Sequence, residues 1–225
     1  MSDTALFSVD ALACVAGYRP LFTHLAFALN RGQWIELTGP NGTGKSTLLR
    51  CLAGLTQPVT GTFRWQQKPI RTTATDWRSG LLYQGHAPAV KNALTAAENL
   101  KTWLTLDNGQ TPTQETIEQL LQTAGISHCA SLEAASLSAG QRRRIQLARL
   151  AGAHGRPLWL LDEPGNALDT DGLRLLNQLL DQHLADGGCA VVATHQPLSI
   201  SAQPLALHMP TFAPVSAPAG QAVHD

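Results

Sequence analysis

Charge is scarce in this sequence. Only 14% of its 225 residues are Asp, Glu, Lys or Arg, where roughly a quarter is usual. The sixteen basic and sixteen acidic residues cancel, for a pI near 7.1. Bulk charge therefore gives no sign of a basic nucleic-acid-binding surface. Apolar residues reach 44%, which excludes a disordered chain, since those are rich in charge and poor in apolar groups. Cysteine is sparse as well. Cys14, Cys51, Cys129 and Cys189 stand far apart, with no CxxC pair, so neither a zinc site nor a disulfide framework is signalled. Buried, reduced thiols are expected instead. No window approaches the ~18 apolar residues of a membrane span. The first residues, Met1 to Asp10, have no basic start and no long apolar stretch, so they do not form a signal peptide. The chain is expected to be soluble and cytosolic unless a partner holds it at a membrane. A low-charge, apolar-leaning domain suits docking on such a partner.

At 24.0 kDa the chain is long enough to bury a substantial core. Residues 4–9 and 25–29 read as short strands, and Asn30-Arg31-Gly32 as a turn. Residues 33–38 (QWIELT) form a buried strand that stops at Gly39. From Ser46 the apolar spacing is helical. Residues 56–80 are rich in turn residues and read as further short strands. Helices are expected over 95–106 and 113–124, from a Ser138 cap to Ala151, and over 171–185. Pro157–Leu161 and Cys189–Thr194 are nearly continuous apolar strands. Such strands alternating with helices imply an α/β fold with a parallel sheet covered on both faces. Residues from about 209 to 225, rich in Pro and Ala, are expected to form a loosely ordered tail after one domain spanning 1–208.

Three motifs carry chemistry. The first runs Gly39, Pro40, Asn41, Gly42, Thr43, Gly44, Lys45, Ser46, with Thr47 behind it. It matches G-x-x-x-x-G-K-[ST] between a strand and a helix, the context of a phosphate-binding loop. Glycines let successive backbone N–H groups turn toward phosphate oxygens, and the helix N-terminus adds partial positive charge. Lys45 would reach the β- and γ-phosphates and the Ser46 hydroxyl would hold Mg²⁺. The second is the apolar strand ending in Asp162-Glu163. It delivers two carboxylates to the edge of the sheet where ligands bind in open α/β folds. Asp162 would meet the Mg²⁺ shell, and Glu163 would orient or deprotonate an attacking water. The third is Leu137-Ser138-Ala139-Gly140-Gln141 followed by Arg142-Arg143-Arg144. Ser138, the backbone N–H groups and the helix dipole would make a second phosphate site.

This third motif resembles the signature sequence of ABC-transporter ATPases, usually LSGGQ, with Ala139 in place of a glycine. Asn166-Ala-Leu-Asp169 resembles the D-loop of that family, and His195 after its strand resembles the switch histidine that contacts γ-phosphate. The resemblance covers residues 4–205. It implies a P-loop NTPase fold of the ABC type, with a RecA-like core, an antiparallel β subdomain and a helical subdomain over about 88–150. It also implies ATP and Mg²⁺ as cofactors. Two copies would pair head to tail, each ATP lying between the phosphate loop of one and Ser138, Gly140 and Gln141 of the other. Integral membrane permease subunits would be the partners, at the cytoplasmic face of the inner membrane. Nucleic acid would not be a partner.

A narrower resemblance rests on Gly85-His86-Ala-Pro-Ala-Val-Lys91, Leu94-Thr95, Glu98-Asn99-Leu100, Pro157-Leu158-Trp159 and Thr194-His195-Gln196-Pro197-Leu198. These are similar to the haem-exporter ATPases of cytochrome c maturation, which implies a haem chaperone as an indirect partner. ATPases of other small importers or of lipoprotein release share the core motifs, as do soluble ABC ATPases. Two departures stand out. The family glutamine that bridges Mg²⁺ and the membrane partner corresponds either to Gln84 or, by ungapped counting, to His86. The aromatic that usually stacks on adenine corresponds to Val15 or Ala16, with Tyr18 the nearest aromatic. Adenine stacking is therefore expected to be weak.

Overall fold

The computed structural model of the chain describes residues 5–72 and 74–209. Most of the expected C-terminal tail lies outside the described residues. Met209 is described, and it is buried. In chain order the elements are β1 (Phe7–Ala16), β2 (Arg19–Leu29), β3 (Trp34–Thr38), α1 (Lys45–Leu52), β4 (Thr60–Trp65), β5 (Lys68–Ile70), α2 (Thr75–Ser79), β6 (Leu81–Gln84), α3 (Ala96–Asn108), α4 (Gln114–Thr123), α5 (Ala139–Ala151), β7 (Leu158–Asp162), α6 (Thr170–Ala185), β8 (Cys189–Ala193) and β9 (Leu205–His208). Short 3-10 turns at Ser127–Cys129 and Ala134–Ser136 link α4 to α5.

Two sheets organise these elements. A five-stranded parallel sheet has the order β6-β7-β8-β3-β9, and a four-stranded antiparallel sheet has the order β2-β1-β4-β5. The apolar runs of β7 and β8 are buried along their whole length, as central parallel strands require. Their side chains divide by alternation. Leu158, Leu160, Val191 and Ala193 face a core shared with α1 and the antiparallel sheet. Trp159, Leu161, Ala190 and Val192 face a second core built with α3, α5 and α6. Leu176, Leu180 and Leu184 of α6 close that second core, each burial contributing about 2 kcal/mol.

Several elements differ from the sequence expectation, each for a local reason. β1 and β2 are longer than the strands expected at 4–9 and 25–29. Their pairing slips between Val9 and Leu12, and Ala11 and His24 take positive φ. Bulges of this kind break the period-two pattern that marks a strand. The segment 56–80 holds a short helix, α2, besides two strands. Trp77 in it donates from Nε1 to Leu52 O at 2.9 Å, which pins the helix to the end of α1. β6 and β9 were not anticipated. Both are four-residue edge strands, and β9 is largely exposed within a Pro- and Ala-rich stretch.

Two helices of the 88–150 region, α3 and α5, are joined to the parallel sheet through a partly buried ion pair. Arg149 of α5 grips Asp107 of α3 through two hydrogen bonds of 2.7 and 2.9 Å, lies over the Trp103 ring and reaches Tyr83 O in β6. Arg156 donates to Leu81 O of the same strand. All four cysteines are buried free thiols.

His183 in α6 stacks on Trp159 in β7, with centroids 4.0 Å apart and planes 9° from parallel. Its Nε2 lies 3.1 Å from Cys189 O. Burial holds its pKa below the ordinary histidine value, opposed by the hydrogen bond to Cys189 and the charge of Asp186. The unfolded chain therefore binds this proton more readily than the native state does. Its contribution to stability is complete above the unfolded value, 6.5, and falls as pH drops through it. The urea midpoint should thus be lower at about pH 5 than at about pH 7.5. The gap should narrow in His183→Gln, which keeps a donor for Cys189 O but does not titrate.

Candidate active site

The phosphate-loop residues leave the end of β3, one of the inner strands of the parallel sheet. Gly39, Gly42 and Gly44 all take positive φ. At two of them a side chain would also be crowded, most severely at Gly39. A Cβ on Gly39 would stand 2.8 Å from Met209 O, and one on Gly44 would stand 3.0 Å from Leu21 Cβ. Thr43 closes the turn by donating from Oγ1 to Pro40 O at 2.9 Å. Lys45 opens α1 and curls back, its Nζ donating to Gly39 O at 2.6 Å and Pro40 O at 3.2 Å. The ammonium thus lies across the inside of the loop. No side chain caps α1 and no acidic residue sits in its first turn. Its N-terminal N–H groups and dipole remain available to an anion.

Asp162 ends β7 and is buried. Glu163 follows with φ 51°, a left-handed conformation for a non-glycine residue. Its N–H donates to Ala193 O at 2.8 Å, so it extends the β7–β8 ladder by one bond. On the neighbouring strand the chain leaves β8 through Thr194 to His195. The His195 Nε2 stands 3.4 Å from Glu163 Oε1 and 3.1 Å from Asn41 Oδ1 of the phosphate loop. Three chain segments that are distant in sequence therefore meet in one place.

They open on a cavity of about 460 Å³. Asn41, Gly42, Gly44 and Lys45–Thr47 line it from the loop side, and His86, Asp162 and Glu163 from the sheet side. Gly39, Pro40 and Thr43 stand behind this lining as the frame of the loop. The Ser46 hydroxyl and the Asp162 carboxylate are hard oxygen donors on the same cavity, a set that fits Mg²⁺. Gln84 lies at the end of β6, paired in register with Leu161, the residue before Asp162. It is buried, and its Nε2 has no hydrogen-bond partner. An orphaned amide beside the carboxylate fits a further polar group at this edge. His86 reaches the cavity lining itself. The segment after His86 is stapled by the buried Asn99, whose amide contacts Lys91 N, Lys91 O, Leu94 O and Thr95 O.

Ala16 and Leu21 of the antiparallel sheet complete the lining. Tyr18 is fully exposed at the β1–β2 turn and takes no part in the lining. Among the described residues no aromatic lines this cavity.

Ser138, Gly140 and Gln141 lie elsewhere. They begin α5 in a reciprocal cap. Gln141 N donates to Ser138 Oγ at 3.1 Å, and Ser138 N donates to Gln141 Oε1 at 2.8 Å. Gly140 is needed because a Cβ there would stand 2.9 Å from Ala167 O. Asp169 caps α6 through Gly172 N and binds Arg144 at 2.6 Å, and these bonds hold its carboxyl below the usual range. Within one chain this group is not brought onto the phosphate-loop cavity. Counting along the sequence reached Ala16, but two residues escaped it: Leu21 on the lining, and the buried Arg143, which gave no signal within a run of three arginines.

The sequence profile of the ABC transporter family matches residues 22–166. A cytochrome c biogenesis ATP-binding export protein, CcmA, of Escherichia coli is 40% identical over 196 residues, covering 87% of this chain and 92% of that one. CcmA of Shigella dysenteriae gives the same identity and coverage, 40% over 196 residues, 87% and 92%. Among solved structures, a putative ABC transporter ATP-binding protein from Pyrococcus furiosus superposes with a TM-score of 0.75 at 21% identity, over 90% of this chain and 96% of that one. An ATP-binding subunit of another ABC transporter gives 0.71 at 23%, over 84% and 80%. At these identities the two structures speak for the fold.

With Ala16 on the lining and no Phe, Tyr or Trp there, the base is expected to add little to binding. ATP and GTP should bind with dissociation constants within a few-fold of each other. Ala16→Tyr should tighten ATP about fivefold, the equivalent of ~1 kcal/mol of base stacking. Titration of both nucleotides into both proteins checks this.

Proposed function

This chain belongs to the ABC transporter family, and from that premise we propose that it is the ATP-binding and hydrolysing subunit of a haem-exporting complex in cytochrome c maturation. The triphosphate lies along residues 39–47. Backbone N–H groups and Lys45 neutralise its charge, and fixed donors aimed at developing charge supply most of the rate. The magnesium site consists of Ser46 and Asp162, with Gln84 at its edge. Bound Mg²⁺ supplies charge neutralisation at the phosphate oxygens. Glu163 accepts a proton from the attacking water. The new bond joins that water oxygen to the γ-phosphorus, and the bond to the bridging oxygen breaks, leaving ADP and phosphate. His195, anchored between Asn41 and Glu163, holds the carboxylate in place and faces the γ-phosphate.

The observation that carries this reading is that the phosphate loop and the Asp162–Glu163 pair line one cavity, with His195 in contact with both through Asn41 and Glu163. The family match supports nucleotide chemistry, and the 40% identity to the export proteins supports the branch. Ser138, Gly140 and Gln141 act on a second copy's nucleotide in a head-to-tail dimer, and their placement away from the chain's own cavity supports that role. No helix among the described residues is long and apolar enough to cross a membrane. In this reading, which the family match and the identity to the export proteins support, the protein works through integral membrane subunits at the inner face of the cell membrane and serves a haem chaperone indirectly.

Glu163→Gln should lower hydrolysis at least about a hundredfold while MgATP still binds. It should also shift the sedimenting species from monomer to dimer when MgATP is saturating. A variant that stays monomeric under those conditions would sink the composite site. Detergent extracts of cells carrying the tagged chain should yield integral membrane subunits. Their absence would favour a soluble ABC ATPase.

A further inference from the structure

Arg143 lies in the second turn of α5, and its side chain is only 3% exposed. Its guanidinium meets three acceptors. Nε donates to Asn166 O at 3.1 Å, Nη2 to His86 O at 3.1 Å and Nη1 to Gln146 Oε1 at 2.7 Å. Among the described residues no carboxylate makes contact with it. The anions whose charge it feels are Asp162 and Glu163, which favour its charged form while burial disfavours it. A buried cation without a contact counter-ion is costly. An apolar residue would fill the same space more cheaply, so packing alone does not account for this one.

Its partners suggest the reason. His86 lines the phosphate-loop cavity. Asn166 closes the turn that begins at Glu163, since Asn166 N donates to Glu163 O at 3.2 Å. Glu163 holds a strained φ, so its position depends on what fixes the turn behind it. The arginine fork spreads its donors over three nitrogens in one plane and so meets Asn166 O, His86 O and Gln146 Oε1 together, whereas a lysine offers all its donors from a single atom. Gln146, also buried, orients the fork from one turn further along. One side chain therefore joins the helix that starts at Ser138 to two segments of the sheet-side wall, the one at His86 and the turn behind Glu163.

We propose that Arg143 is a positioning residue that couples the two nucleotide sites of the dimer. The helix α5 meets the second copy's nucleotide through Ser138, and Arg143 carries any shift of α5 to Glu163 and His86 at the chain's own nucleotide. Occupancy of one site thereby sets the carboxylate of the other. This rests on the hydrolase reading above and adds to it a route between sites.

The test uses the full chain and measures ATP hydrolysis against MgATP concentration, with binding followed separately by a fluorescent ATP analogue. Wild type should show a Hill coefficient above one, with about 2 as the ceiling for two sites. Arg143→Gln and Arg143→Lys should lose about tenfold or more in kcat and fall to a Hill coefficient near one. Their affinity for the analogue should stay within about threefold of wild type. Gln146→Leu keeps the cation but frees the fork. It should move both quantities the same way by less, and it serves as the readout if the arginine variants fail to fold. A folded Arg143→Lys with full kcat and unchanged cooperativity would overturn the inference, as would a hyperbolic wild type. Loss of analogue binding in step with kcat would reduce Arg143 to a structural role. A wild type that neither binds nor hydrolyses ATP would instead overturn the functional reading itself.

Discussion

The ladder between β7 and β8 is the constraint on which the site depends. Asp162 stands opposite Ala193, and one further bond, from Glu163 N to Ala193 O, carries the pairing past the end of the strand. That last bond holds the peptide of Glu163, whose φ is unfavourable, and it sets Glu163 and His195 side by side. A slip of one residue would turn every side chain of the strand to the opposite face. The slip is opposed by burial on both faces. Leu158 and Leu160 belong to one core, Trp159 and Leu161 to the other, and exchanging them would put tryptophan where leucine packs. The apolar strands thus set the register that places the carboxylates.

The same logic explains what could be read in the sequence. The central strands were legible because burial on two faces leaves an unbroken apolar run. The phosphate loop was legible because its glycines and lysine are required by local geometry. The cap at Ser138 was legible, while those at Thr95, Thr113 and Asp169, equally short polar residues at helix starts, emerged only in the structure. What failed to show depends on neighbours distant in sequence. β1 and β2 are interrupted by bulges, and β9 is an exposed edge strand held by its pairing with β3. Arg143 sits between two arginines that bind at other places, Arg142 to Ala134 O and Arg144 to Ala124 O and Asp169. Composition cannot tell which of three adjacent cations is buried.

The edge strand β9 also shows how a peripheral element bears on the chemistry. It pairs with β3 from Leu205 to His208, and Met209 N then donates to Thr38 O. This brings Met209 O against Gly39, close enough that a Cβ there could not be accommodated. The first glycine of the loop is therefore fixed from outside the loop, by a strand near the end of the described chain. A glycine that looks like part of a phosphate motif answers to packing as well. Lys45 Nζ in turn bonds Gly39 O, so the position of the ammonium depends on that contact.

The division of the polar groups between two surfaces follows from helix geometry. In the proposed function the N-termini of α1 and α5 both receive an anion, yet they are built differently. At α1 no side chain competes for the N–H groups. At α5 Ser138 and Gln141 satisfy each other in a closed box. A group that binds at α1 finds free donors in place. A group that binds at α5 must share or displace the capping bonds, so the second site offers weaker intrinsic binding. An arrangement with one strong and one weak anion site per chain favours sequential assembly. In the proposed dimer, nucleotide would settle first on the phosphate loop and the second copy would close over it afterwards. The energy of that closure then comes from contacts made only in the closed state, which is where an ATP-driven switch must gain its force.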